Sequence, residues 1–190
     1  MNLYFRLIRI ILLHYLCKKE LHPITAASEL FFRVWPFDLD VNGHMNNARY
    51  LALMDLGRLD LILKSGMFKK TLDNKWIPVL GASTIRYRIP LFPMQKVKLT
   101  TEVKYWDEGW FYMEQRFIIQ GGKKDGAVAA IALVKGGFFD KGESKKLLES
   151  QKFIDAAGDN NRPKPELDEY LASWIKAESE LQSVTATEQI

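Results

Sequence analysis

The spacing of apolar residues changes along the chain, and each change predicts a different kind of element. Between residues 47 and 65, apolar side chains occur almost all the way round a helix, which is typical of a helix enclosed by the rest of the protein. Gly66 follows, and glycine commonly ends a helix. From Trp76 onward the spacing becomes two, which indicates strands with one buried face. Strands are predicted over residues 29–35, 82–91, 96–106, 110–120 and 127–139.

Short connections at residues 107–109 and 121–126 predict hairpins, so the later strands pair antiparallel. One enclosed helix combined with a long antiparallel sheet predicts an α+β fold, with the sheet wrapped around a central helix. We assign residues 29–140 to this domain. Helical spacing returns in the tail, so residues 141–190 form a predicted C-terminal helical extension.

The N-terminal segment, residues 1–22, predicts a basic amphipathic helix. Arg6, Arg9 and His14 gather on one side of it and leave a broad apolar face. The apolar run is too short and too charged to cross a bilayer core, which needs about 20 apolar residues. Two interpretations remain open. Residues 2–19 lie in a membrane surface as a peripheral contact, or the helix packs on the domain or on a partner subunit.

Composition narrows the classes of partner and site. With 190 residues and 47% hydrophobic content, the chain can bury one core. The net charge of +4 comes from Lys and Arg residues spread over the sequence, so we predict no nucleic-acid partner. Cys17 is the single cysteine, which excludes disulfides within the sequence and favours a reducing, cytoplasmic location. The three histidines form no metal-binding pattern, so we predict no metal and no cofactor.

A dense polar stretch, residues 37–47, lies directly before the enclosed helix. It contains Asp38, Asp40, Asn42, Gly43 and His44. The N-terminus of a helix carries unpaired N–H groups and a partial positive charge, which stabilise a carboxylate or an oxyanion that forms during a reaction. This stretch is therefore the candidate active site.

The stretch resembles the signature of a known family. Asp40, Asn42, His44, Asn46 and Asn47 follow the order D-x-N-x-H-x-N-N, with Tyr50 after them. This is similar to hotdog-fold thioesterases, namely the 4-hydroxybenzoyl-CoA thioesterase-like group, the plant acyl-carrier-protein (acyl-ACP) thioesterases and a membrane-anchored thioesterase branch. The resemblance implies a five-stranded sheet around a central helix. It also implies a homodimer or dimer of dimers with joined sheets and with active sites at the subunit interface.

The same resemblance assigns roles within the stretch. Asp40 matches the catalytic carboxylate, which acts on water as a general base or on the thioester carbonyl as a nucleophile. Asn42 and His44 match the polar pair beside that carboxylate in the plant enzymes. Those enzymes also have an acidic residue on the strand after the helix, where this sequence has Arg86 or its neighbours. The simpler mechanism with one carboxylate is therefore favoured, and Asp38 is assigned a structural role.

Thioester hydrolysis needs a base, donors for the carbonyl oxygen and an apolar slot for the acyl chain. Backbone N–H groups near residues 43–47 are the predicted donors, with Gly43 allowing close approach. Asn46 and Asn47 are expected mainly to cap the helix and hold the loop. The predicted substrate contacts are Tyr50, Leu51, Met54, Val79 and Leu80 for the acyl chain, and Arg86 and Arg88 for the phosphates of coenzyme A.

The leading hypothesis is an enzyme that hydrolyses acyl-CoA or acyl-ACP to a free acid and a thiol. The CoA or the acyl carrier protein belongs to the substrate. Two alternatives stay open. One is a non-catalytic hotdog protein that binds acyl-CoA or lipid, and the other is a hotdog dehydratase or hydratase.

Overall fold

A computed structural model of the chain describes residues 2–16, 21–159 and 163–187. Its helices are α1 (Asn2–Leu16), α2 (Asn47–Lys64), α3 (Met67–Asp73), α4 (Ser150–Ala156) and α5 (Glu169–Thr187). Its strands are β1 (Ser28–Arg33), β2 (Trp76–Tyr87), β3 (Lys96–Trp106), β4 (Phe111–Gln120) and β5 (Val128–Asp140). A short 3-10 turn, Pro36–Asp38, lies between β1 and α2.

The five strands form one antiparallel sheet in the order β1-β3-β4-β5-β2, so β1 and β2 are its edges. The predicted α+β hotdog fold, with five strands and a long central helix, is confirmed. The strand β2 starts at Trp76 rather than at residue 82 and contains Pro78. An edge strand accepts proline because the N–H groups on its free side need no partner in the sheet.

The helix α2 packs on the inner face of the sheet and supplies much of the core. Its side chains Tyr50, Leu53, Met54 and Leu61 are buried. The closest approach is at Gly57, where an added Cβ would lie 2.7 Å from Thr101 Oγ1. A hydrogen bond also joins helix and sheet there, since Gln115 Nε2 donates to Met54 O at 3.0 Å. The same nitrogen donates to Thr101 Oγ1 on the neighbouring strand at 2.8 Å.

The C-terminal helix α5 lies on the opposite, outer face of the sheet. Trp174 meets the Tyr112 ring edge-on with centroids 6.3 Å apart, and Lys135 Nζ is 2.5 Å from Glu178 Oε2. The side chain of Leu171, in the first turn of α5, is fully buried. The short helix α3 follows α2 directly and was absent from the sequence prediction.

The N-terminal helix α1 packs on the domain, which is one of the two interpretations left open by its sequence. Ile10 is buried, and Leu3, Leu7 and Ile11 pack against the core. Arg6 also faces inward, because its Nη2 donates to Asp38 Oδ2 at 2.5 Å and to Arg33 O at 3.1 Å.

The broad apolar face predicted for α1 is therefore divided between the domain and the surroundings. One part of that face packs inward beside Arg6, and the other part points outward. The outward side chains, all more than one-third exposed, are Tyr4, Phe5, Ile8, Leu12, Leu13, Tyr15 and Leu16. No helix among the described residues is long and apolar enough to cross a membrane. Cys17, Lys18 and Lys19 lie outside the described residues.

The close contact at Gly57 can be tested with Gly57→Ala. Alanine forms helices better than glycine by about 1 kcal/mol, which favours the variant. The added Cβ meets Thr101, Gln115 and Leu99 within 3 Å, which disfavours it. We expect the packing clash to dominate, with a net loss of about 1–3 kcal/mol in the free energy of unfolding, measured by urea titration. Ala52→Gly in the same helix measures the difference in helix propensity between alanine and glycine, and this value is then subtracted from the effect of Gly57→Ala. A stabilised Gly57→Ala variant would contradict the close packing.

Candidate active site

The loop before α2 is closed by its own backbone hydrogen bonds. Asp40 N donates to His44 O at 2.9 Å, and Gly43 N donates to Asp40 O at 3.1 Å. Leu39 and Met45 pair as an isolated antiparallel bridge at the base of the loop. Gly43 has a φ of +76°, a conformation that glycine adopts without steric cost. The loop therefore has a defined shape that presents residues 40–44 together.

The Asp40 carboxylate is held by its neighbours in this loop. Its Oδ1 accepts a hydrogen bond from Asn42 N at 2.8 Å, and its Oδ2 lies 3.4 Å from His44 Nδ1. The side chains of Asp40 and His44 are 21% and 37% exposed, so both remain accessible from solvent. Asn42 contributes its backbone N–H, and its side chain is exposed. The structure thus brings Asp40, Asn42 and His44 together.

Most of the backbone N–H groups predicted as oxyanion donors are already used. Gly43 N donates within the loop, Met45 N donates to Leu91 O at 2.8 Å, and Asn46 N donates to Asp38 O at 2.9 Å. Within the described part of the chain, the N–H groups of His44 and Asn47 have no such acceptor. The N–H groups of His44 and Asn47 are therefore the two predicted donors that remain available to a substrate. Asn47 is the first residue of α2.

Asn46 is the N-cap of α2. Its Oδ1 accepts a hydrogen bond from Ala48 N at 2.9 Å, and its carbonyl oxygen accepts one from Arg49 N at 2.9 Å. Asn47 is the first helical residue, and its carbonyl oxygen lies 3.5 Å from the Tyr87 hydroxyl that donates to it. The start of α2 is therefore anchored to the end of β2.

Asp38 is buried beneath the loop, with 1% of its surface exposed. Its Oδ2 accepts hydrogen bonds from Arg6 Nη2 and, at 2.9 Å, from Trp35 N. Its Oδ1 lies 3.8 Å from Arg49 Nε on the first turn of α2. The sequence placed Asp38 in a structural role, but it gave no signal that Arg6 of α1 is the partner.

A mostly apolar cavity of about 310 Å³ lies between the second half of α2 and strands β2 and β5. Its charged lining residues are Asp55 and Arg58, which pair with each other. Arg58 Nη1 also donates to Gln115 Oε1 at 2.9 Å. Burial lowers the pKa of Arg58, and the adjacent Asp55 carboxylate opposes that lowering. The apolar lining includes Leu59, Ile62, Val79, Leu80, Phe111 and Phe138.

The predicted acyl contacts divide between this cavity and other places. Val79 and Leu80 line the cavity, whereas Leu51 is 42% exposed and Met54 is buried outside it. Tyr50 is buried with its ring 5.0 Å from the Tyr87 ring, and burial raises the pKa of its phenol to about 12, so it is neutral at physiological pH.

Arg86 and Arg88 are exposed near the end of β2. In β2 the side chains of Ile85 and Tyr87 face α2, so Arg86, between them, points to the outer face.

Asp40 does not line the cavity of its own chain. The helix α2 starts at Asn47, and its residues in the cavity are 55–62. At 1.5 Å per residue, the cavity lies about 12–22 Å along the helix from its start. One chain therefore does not bring the carboxylate and the predicted acyl contacts Val79 and Leu80 together.

Comparison with known proteins places the chain among thioesterases. The family model described as the thioesterase-like superfamily matches residues 34–175. Protein THEM6 of Danio rerio is 32% identical over 161 residues, which cover 84% of this chain and 74% of that protein. Protein THEM6 of Drosophila melanogaster is 39% identical over 94 residues, covering 48% of this chain and 46% of that protein.

Solved structures agree at the level of the fold. The YbaW probable thioesterase of Escherichia coli matches with a TM-score of 0.62 and 23% identity, over 70% of this chain and 96% of that chain. A Staphylococcus aureus protein solved in complex with CoA matches with a TM-score of 0.62 and 14% identity, over 77% of this chain and 92% of that chain. At these identities the likeness shows the fold alone.

The cap of α2 can be tested with Asn46→Ala. This variant loses the side-chain oxygen that accepts from Ala48 N, and we expect the free energy of unfolding to fall by about 0.5–2 kcal/mol in urea titrations. Asn42→Ala is the matched control in the same loop, and its exposed side chain should matter by less than about 0.5 kcal/mol. Equal losses in the two variants would argue against Asn46 as the cap.

Proposed function

Because the chain belongs to the thioesterase-like superfamily, we propose that it is a thioester hydrolase whose substrates are acyl-CoA molecules. Family membership supports thioester hydrolysis in general. The choice of CoA over an acyl carrier protein draws on a structural neighbour that was solved in complex with CoA. Arg86 and Arg88, exposed near the end of β2, are the proposed contacts for the CoA phosphates.

Asp40 is the proposed general base. Its carboxylate takes a proton from water, the water oxygen bonds to the thioester carbonyl carbon, and the carbonyl oxygen becomes an oxyanion. The oxyanion then re-forms the carbonyl, the C–S bond breaks, and the leaving thiolate takes the proton from the Asp40 carboxyl, which regenerates the carboxylate and leaves the free acid and the thiol. The N–H groups of His44 and Asn47 are the proposed oxyanion donors at the positive end of α2. His44 and Asn42 hold the Asp40 side chain through the contacts described above.

We further propose that two copies of the chain build each active site. The observation that carries this proposal is the separation of Asp40 from the apolar cavity within one chain. The strand β2 connects the two regions, since residues 78–80 at its start line the cavity and Tyr87 at its end contacts the start of α2. A second β2 paired antiparallel along this free edge would lay the start of one strand beside the end of the other. Each cavity would then face the Asp40 loop of the partner.

The edge itself suits such pairing. The strand β2 is long, it hydrogen-bonds to β5 on one side only, and Ile77 and Leu80 are each more than two-fifths exposed. An unpaired edge of this length is normally covered by another chain or another element. A homodimer with joined sheets satisfies this requirement.

The proposed contact with a membrane is based on α1 and not on the candidate active site. We propose a cytoplasmic protein that touches a membrane peripherally, with the outward apolar side of α1 as the point of contact.

The role of Asp40 can be tested with Asp40→Ala and Asp40→Asn on acyl-CoA substrates of graded chain length. We expect both variants to lose at least about a hundredfold in kcat, measured as release of free CoA thiol, because neither retains a base. Asp73→Ala, an exposed aspartate on α3, is the control and should retain the wild-type rate. An unchanged rate in Asp40→Ala would contradict the mechanism. Tight acyl-CoA binding by a wild-type protein that releases no thiol would support the binding-module alternative instead.

The shared site can be tested by mixing two inactive variants. Asp40→Ala lacks the base, and Leu59→Trp fills the cavity with a larger side chain. In a mixed dimer, one site combines both defects and the other combines an intact Asp40 with an intact cavity. Random assembly should therefore restore about a quarter of the wild-type activity. If each chain carried a complete site, mixing would restore none.

A further inference from the structure

One side of α1 leaves a large apolar area uncovered. Tyr4 and Phe5 are 71% and 70% exposed, Leu12 is 52% exposed and Leu16 is 76% exposed. The opposite side of the helix is fixed to the domain through Ile10 and Arg6. Because of these inward contacts, α1 presents its apolar side to the surroundings as part of a packed structure.

A second aromatic patch lies next to α1. Trp35 precedes the 3-10 turn and Phe37 lies within it. Both side chains are more than two-fifths exposed, and their rings stack with centroids 6.1 Å apart. Trp35 shares an open groove with Arg9 of α1 and with Arg33 and Lys96. No carboxylate lines this groove among the described residues, so the groove is basic. Exposed aromatic and aliphatic side chains beside uncompensated cations are typical of surfaces that enter the headgroup region of anionic bilayers.

The two patches and the catalytic loop meet at Asp38. Its carboxylate accepts hydrogen bonds from Arg6 of α1 and from the backbone N–H of Trp35. Its backbone carbonyl accepts one from Asn46 N at the end of the Asp40 loop. Asp38 is almost fully buried, so these contacts are shielded from water and from salt.

We infer that the outward side of α1 and the Trp35–Phe37 pair form one lipid-facing surface for anionic bilayers, and that the Arg6–Asp38 ion pair couples this surface to the loop that carries Asp40. This inference deepens the proposed function and rests on it for the catalytic effect. Arg6 and Asp38 act as positioning residues, because neither reaches the reacting atoms. A second copy paired along β2 does not cover this surface, since α1 packs beside β1 at the other edge of the sheet.

The lipid-facing surface can be tested by co-sedimentation with vesicles of phosphatidylcholine, with and without phosphatidylserine. We expect the wild-type protein to bind the vesicles that contain phosphatidylserine and to bind the others at least about tenfold more weakly, because the basic groove contributes electrostatic attraction. Leu12→Asp and Trp35→Ser should each lose most of this binding. Leu181→Asp is the matched control, since Leu181 is 66% exposed on α5 at the other face of the sheet, and this variant should bind like wild type.

Three outcomes of the vesicle experiment would overturn the lipid-facing surface. In the first, the wild-type protein remains in the supernatant. In the second, the Leu12→Asp and Trp35→Ser variants bind as well as wild type. In the third, binding is the same with and without phosphatidylserine. The assay needs no catalytic activity, so it remains decisive even if the wild-type protein hydrolyses no acyl-CoA.

The coupling can be tested with Arg6→Met and Arg6→Lys. Arg6→Met removes the nearer of the two cations at Asp38 and leaves Arg49 Nε at 3.8 Å. We therefore expect the loop at residues 38–46 to exchange its amide hydrogens faster. We expect kcat to fall by about ten- to a hundredfold, because the Asp40 carboxylate is displaced. We expect little change in KM, because the cavity stays intact. Arg6→Lys keeps the charge and should recover part of both losses.

A variant that unfolds globally would raise hydrogen exchange throughout the chain, whereas the coupling requires the increase to centre on residues 38–46. Exchange in β3 and β4 is the internal reference for this comparison. The coupling would be overturned if a folded Arg6→Met variant kept both the hydrogen exchange of the loop and kcat unchanged. It would also be overturned if hydrogen exchange increased throughout the chain in Arg6→Lys. If wild-type protein shows no hydrolysis, the proposed function fails, and loop exchange alone then decides whether Arg6 holds the loop.

Discussion

The buried carboxylate of Asp38 is the contact on which the arrangement of the site depends. The carboxylate joins the N-terminal helix to the 3-10 turn, and the backbone carbonyl of the same residue accepts a hydrogen bond from Asn46 N at the end of the Asp40 loop. A carboxylate removed from water needs such partners, because an unpaired buried charge costs about 3–5 kcal/mol. That requirement makes Arg6 part of the folded domain. The Asp40 loop is consequently supported from below by Asp38 and from the side by the cap of α2.

The length of α2 explains why one chain does not bring Asp40 and the apolar cavity together. An enclosed helix of 18 residues spans about 27 Å, and the Asp40 loop lies at one end of it. The cavity lies beside the other half, between the helix and the edge of the sheet. No rotation of side chains closes a gap of that size. The proposed twofold arrangement along β2 would close it through a strand edge that is free in the single chain, once in each of the two sites of the pair.

The sequence predicted the elements well where the periodicity was strong. The predicted span of β3, residues 96–106, coincides with the strand, and the predicted end of α2 differs by one residue. In these segments each residue has its buried or exposed side set by simple alternation or helical spacing. The change of spacing noted at Trp76 coincides with the start of β2, but the strand itself was predicted only from residue 82, because the stretch that contains Pro78 alternates less clearly. The short helix α3 was missed because it directly follows the end of α2.

The site was predictable only in its local part. Asp40, Asn42 and His44 are near in sequence, and their contacts are made within one loop. Partners from distant elements carried no such signal. From the sequence, Arg6 was one of several cations on a predicted helix, and Asp55 and Arg58 were not singled out. Their roles depend on which side of a helix meets the rest of the domain, and a helical wheel does not specify that.

The position of α5 limits how larger assemblies can form. Sheets that stack face to face need a separation of about 10 Å, filled by their own side chains. Here the outer face of the sheet is occupied by α5, which is held by Trp174 and by the pair of Glu178 with Lys135. Two pairs of subunits that met back to back would therefore contact α5 over β4 and β5, whereas Thr84 and Arg86 on the outer face of β2 stay exposed. A tetramer formed through the outer faces of the sheets would therefore have α5 as part of its interface.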